Sequence, residues 1–171
     1  MGTTCLPGGM RRRVYSMAMR LVTALVVALV LVAPILARAN RESAADIQPR
    51  VDHHIREVNV LLQHFEGFVA GECPRFGSVA EWETFAEREI DQMLMLVAHA
   101  EQAWVEAKRT GDDDVRRSAK APRRRLDDAP QILTKLSACA ETNGVTLDPA
   151  RVYRRIERDL PRRQSEIALP R

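Results

Sequence analysis

The chain has 171 residues, of which 29% are charged, 46% apolar and only 5% aromatic. That balance is too apolar for a disordered polymer and too charged for a multi-span membrane protein. Strand-forming aromatic runs are also lacking, which points to one small helical domain.

The formal charge of +3 and the pI near 9.0 mislead about the body of the chain. The first 39 residues hold five arginines (Arg11, Arg12, Arg13, Arg20, Arg38) and no acid. The rest carries 21 basic and 23 acidic side chains, net −2. A basic-protein argument for nucleic acid loses its support.

The N-terminus reads as an export leader. Arg11 to Arg13 and Arg20 form a positive region, and Leu21–Ala33 is an uncharged run of 13 residues. Pro34 breaks it, and Ala37-Arg38-Ala39 fits small-x-small cleavage between Ala39 and Asn40. Met10 is an alternative start. The competing reading is an uncleaved anchor; at 17 residues to Ala37, with Pro34 inside, it is at the short end for a span. The predicted location is periplasmic or secreted, with N-terminal membrane anchoring as the alternative.

Cysteine use agrees with export. Cys5 falls in the leader, and Cys73 and Cys139 remain as a pair. An oxidising compartment favours a structural disulfide between them. There is no C-x-x-C or C-x-x-C-H motif.

Beyond Asn40 the chain reads as helices. Ile47, Val51, Ile55, Val58, Leu62, Phe65 and Val69 repeat at 4-4-3-4-3-4, a near-heptad seam that ends at Gly71. Pro49 requires a place in the first turn or a kink. Ser78 and Glu81 form a capping box. Trp82, Ala86, Ile90, Met93, Val97, Ala100 and Trp104 then repeat with the same spacing to about Lys108. Residues 112–128 read as a charged connector with a helical turn, divided by Pro122. A third helix starts at the Asp128 cap, carries Ile132, Leu133, Leu136 and Ala140, and ends at Asn143-Gly144. The fourth follows the Asp148-Pro149 cap with Val152, Tyr153, Ile156 and Leu160, and stops at Pro161. Residues 161–171 read as a frayed tail.

The expected fold is therefore all-α: an antiparallel bundle of about four helices, up and down, spanning residues 40–160 after the signal peptide. The first and third helices both end at the top, which brings Cys73 and Cys139 to one end. A heptad seam also suits a homodimer.

No G-x-S-x-G, H-E-x-x-H or glycine-rich phosphate loop is present, and no catalytic set stands out. The function expected is non-enzymatic: an exported binding, adaptor or chaperone-like protein. Residues 40–107 carry net −8 and residues 108–171 net +6. The bland reading is attraction between the two hairpins. The sharper one assigns Arg116, Arg117, Lys120, Arg123, Arg124 and Arg125 to an anionic partner: lipid head groups, lipopolysaccharide-like phosphates, or an acidic envelope or extracellular protein. No aromatic interleaves the run, so nucleic acid is not expected.

The alternative function is a metal or haem carrier. All four histidines (His53, His54, His64, His99) lie in the acidic hairpin. His53 and Glu57 are i,i+4 neighbours able to chelate a metal. Asp91, Met95 and His99 form an i,i+4,i+8 line, and a thioether beside an imidazole suggests copper. His54 lies on the apolar stripe, as a bonded core-edge histidine or, paired with Met93, as a haem ligand. Glu89 also falls in an apolar sector. It needs a partner, for which Arg154 or Arg155 is the natural candidate.

Overall fold

The computed structural model of the protein describes residues 42–169. The expected leader, with the predicted cleavage site between Ala39 and Asn40, lies outside the described residues. Of the described residues, 82% are helical and none forms a strand.

α1 (Ala44–Ala70) opens on the Ser43 cap, whose hydroxyl accepts from the Asp46 N–H. Pro49 lies inside it, exposed, in the second turn. The Gly71 N–H closes the helix on the Gly67 carbonyl. α2 (Val79–Ala107) opens on Ser78, which accepts from the Glu81 N–H. The Glu81 carboxylate reaches back one residue further than the capping box expects, to the Gly77 N–H at 2.9 Å.

The expected connector is a helix. α3 (Asp113–Arg125) is capped by Asp112, which accepts from the N–H groups of Asp114 and Val115. Pro122 does not divide it. Val115, Ala119 and Pro122 form a buried stripe, and the first two pack on Ile47, Val51, Ala103 and Ala107. That burial outweighs the one ladder bond Pro122 forfeits. Acids in the first turn and Arg123 to Arg125 in the last suit the helix dipole. A single 3-10 turn, Leu126–Asp128, leads straight into α4 (Ala129–Thr142). Asp128 therefore has helical dihedrals and makes no side-chain cap, contrary to expectation. α5 (Pro149–Ile167) is capped by Asp148. It runs through the exposed Pro161 for six more residues, so most of the expected frayed tail is helix. Arg163 holds this extension to Asp91 of α2 at 2.7 Å.

α3, the 3-10 turn and α4 run end to end as one bent leg, so the bundle has four legs. Contacts fix their directions. Along α1 and α2, partner numbers rise and fall in step: Glu42 meets Arg109, His54 meets His99, His64 meets Glu89 and Phe68 meets Phe85. The pair is antiparallel. The third leg rises with α1, through Glu66–Arg125 and Cys73–Cys139. α5 runs with α2, through Glu87–Arg155 and Asp91–Arg163. This is the up-down-up-down bundle. The seams of α1 and α2 face each other within the chain.

Cys73 and Cys139 are bonded, with Cα atoms 5.1 Å apart. Asn143 reinforces the same end: it accepts from the Phe76 N–H at 3.0 Å and donates to the carbonyls of Pro74 and Cys139 at 2.9 Å. The bridge closes a loop of 66 positions. Cys73→Ser/Cys139→Ser is therefore expected to lose about 4 kcal/mol of stability. Urea midpoints of the oxidised parent and the variant measure this, and an unchanged midpoint would exclude a stabilising bridge.

Candidate metal centre

The apolar core comes in two pieces. The larger holds Val58, Leu62, Phe65, Trp82, Met93 and Leu96; the smaller holds Ile47, Val51, Ala103, Ala107, Val115 and Ala119. Between them, along both α1 and α2, lies a pair of histidines. The buried places of α1 are Ile47, Val51, His54, Val58, Leu62 and Phe65, so His54 takes the seam position predicted for Ile55. On α2, His99 lies between Leu96 and Ala103. His54 is 0% exposed and His99 4%.

The two rings meet through their Nδ1 atoms at 2.9 Å. One of those nitrogens carries the proton of this bond; the other accepts it. His53, half-buried, brings its ring centroid to 5.2 Å from His54 and 6.0 Å from His99. Ring nitrogens of all three residues lie within 4.8 Å of one another. Ligands around a tetrahedral ion with imidazole bonds of 2.0–2.1 Å sit about 3.3 Å apart, inside that range. The buried Nε2 of His54 has no hydrogen-bond partner among the described residues, and an orphan of that kind marks a site of strain or ligation.

Burial favours the neutral form of the His54 and His99 rings. Burial, then the neighbouring His99 and His53, push the His54 pKa down to about 4. Burial lowers His99 too, against the pull of the Glu57 charge. Glu57 is half-buried one turn after His53 and makes no ion pair or hydrogen bond among the described residues.

The predicted ligands divide. His53 and His99 come together, with Glu57 close enough for its charge to be felt. Asp91 does not join them; it holds Arg163, and two turns of helix, about 12 Å, separate it from His99. Met95 is half-buried one turn before His99. Met93 packs in the larger apolar cluster, and the ring partner of His54 is His99. His54 is on the apolar stripe as expected, as a bonded histidine, but its partner is His99 and not Met93, and helical spacing alone does not join it to the His53 and His99 sets. The predicted sets placed His99 apart from the core because α2 was credited with one buried face. It has more: Leu94, Leu96, Ala98, Gln102 and Glu106 are buried as well.

Glu89 meets His64 at 2.7 Å, and neither Arg154 nor Arg155. Arg155 pairs with Glu87 and Arg154 with Asp148. The basic run on the third leg is largely engaged. Arg116, Arg117, Arg123 and Arg125 face Asp113, Asp114, Glu101 and Glu66. Lys120 and Arg124 are exposed and in no ion pair among the described residues.

No protein-family model, curated protein or solved structure matches this chain.

Two outcomes follow for the metal-free protein. Unfolded His54 titrates near 6.5 and folded His54 near 4, so the unfolded chain binds the extra proton between them. Stability is level above pH 6.5 and falls as pH drops toward 4, by on the order of 3 kcal/mol in total. Urea melts at pH 7 and pH 4.5 measure it, and a drop just as large in His54→Leu/His99→Leu would assign it elsewhere. That double variant is expected to be at least as stable as the parent at pH 7. His54→Leu alone should lose about 1–3 kcal/mol, because it orphans His99.

Proposed function

We propose that this chain is an exported helical-bundle protein that binds a divalent transition-metal ion through His53, His54 and His99. The observation that carries the reading is the convergence of three imidazoles, two of them buried, in a gap between apolar clusters. Neutral imidazole is a ligand for zinc, copper(II), nickel and cobalt. Glu57 places a negative charge beside the set and offsets part of the charge of a divalent ion. The Cys73–Cys139 bridge favours an oxidising compartment. It also leaves no free thiol among the described residues to compete for the metal. No helix among the described residues is long and apolar enough to cross a membrane.

Three protein ligands leave a fourth position on a tetrahedral ion. The reading is therefore carriage or storage of an exchangeable ion, with soft monovalent copper less well served than a borderline divalent ion.

The test is a titration of chelator-stripped protein with Zn²⁺ and Co²⁺ against a competing indicator dye. One equivalent is expected to bind, with affinity reduced at least 100-fold in His99→Ala and unchanged in His64→Ala. The ion should also raise the melting temperature, since a ligand at 100 times its Kd adds about 2.7 kcal/mol. Absence of stoichiometric binding, or an equal loss in His64→Ala, would overturn the proposal.

A further inference from the structure

Three cations converge on one aromatic ring at the opposite edge of α2. The Lys108 Nζ lies 6.0 Å from the Trp104 ring centroid, the Lys120 Nζ 5.7 Å and the Arg123 guanidinium carbon 5.9 Å. They come from the end of α2 and from two successive turns of α3. A single carboxylate answers them: Glu101 accepts from Arg123 Nε at 2.9 Å. The terminal nitrogens of Arg123 have no protein acceptor among the described residues, and Lys108 and Lys120 make no ion pair there. A shallow cleft of about 450 Å³ opens beside the ring, lined by Trp104 and Leu126, by the cations Lys120, Arg123 and Arg124, and by the carboxylates Glu101 and Asp127, three positive charges against two negative.

Cations gathered around one ring repel one another. The ring face offsets part of that repulsion, and an anion between them would offset more. The free fork of Arg123 suits two oxygens of one group, and Lys120 adds a second positive charge to the same cleft. We infer that the cleft beside Trp104 is a binding site for a phosphoryl group, held by Arg123 and Lys120 beyond the rim of the indole, with Lys108 adding positive charge nearby. The same chemistry is found in free phosphate compounds and in anionic phospholipid head groups. The site is separate from the three histidines and does not depend on their role.

The experiment uses the oxidised full-length protein. Trp104 is half-buried, while Trp82 is 1% exposed and serves as a constant background. Tryptophan emission is titrated with inorganic phosphate and, separately, with vesicles of phosphatidylglycerol or phosphatidylcholine. Saturable change is expected with phosphate or with phosphatidylglycerol, and none with phosphatidylcholine. A response to phosphate marks a free phosphoryl ligand; one confined to phosphatidylglycerol marks a head group. Lys120→Gln/Arg123→Gln should weaken binding at least 10-fold. Arg154→Gln/Arg158→Gln removes the same charge from α5 and should leave binding unchanged. No saturable change with either probe, equal response to phosphatidylcholine, or equal weakening in the two variants would overturn the inference.

Discussion

The pairing of α1 with α2 rests on three buried polar rungs. Glu89, His99 and Glu106 of α2 are each 3–4% exposed. Each has its answer on α1: His64 for Glu89, His54 for His99 and Arg50 for Glu106. Arg109 also donates to Glu106 at 2.8 Å, and Gln102 at 3.2 Å. Apolar side chains tolerate sliding, because one leucine contact resembles another. Buried polar groups do not, since a slip of one turn would strand three of them without partners at a cost of about 1–3 kcal/mol or more each. The rungs thus fix the register of the hairpin on which α3, α4 and α5 assemble, as a single polar core residue does in coiled coils.

The rungs differ in how completely they are satisfied. Glu106 sits in a network with Arg50, Arg109, Gln102 and, through the arginines, Glu42. Glu89 has a partly exposed imidazole. The middle rung is the deepest and the least satisfied, with two imidazoles sharing one bond and the far nitrogen of His54 unpartnered. If register were its whole purpose, a fully paired set such as the one at Glu106 would serve better. The residual dissatisfaction of this rung is the physical argument that it serves a ligand, since functional sites are where stability is given up.

The fold was largely legible. The seams of α1 and α2, the caps at Ser78 and Asp148, and the placement of Cys73 beside Cys139 all follow from periodicity and short loops. Two errors share a cause: proline was read as a divider. Pro122 and Pro161 both sit inside helices, because buried Val115 and Ala119 in one case and the Arg163–Asp91 contact in the other sustain the helix past them. The site was half legible. Helical spacing places His53 beside Glu57, since both lie on one helix. It cannot show that His99 comes from 45 positions away to meet His54, because that depends on the hairpin register. A signal was nonetheless present: Glu89, Leu96, His99, Ala103 and Glu106 follow one another at spacings of 7, 3, 4 and 3, a second stripe on α2 in which three polar residues occupy core positions.

Charge separation along the chain acquires a structural meaning in the same terms. The acidic first hairpin and basic second one are joined by Glu66–Arg125, Glu87–Arg155, Asp91–Arg163 and Glu101–Arg123. Most of these pairs are solvent-exposed and add little stability individually; their sign pattern favours the observed arrangement of legs over its alternatives. At the Trp104 face Lys108 and Lys120 find an aromatic ring instead of an acid. The middle rung of the core and the Trp104 face therefore share a logic. In each, local groups leave an electrostatic demand unmet that the two proposals fill: an unpartnered imidazole nitrogen on His54 between α1 and α2, and excess positive charge between α2 and α3. α2 borders both, so the central helix of the bundle links the two sites.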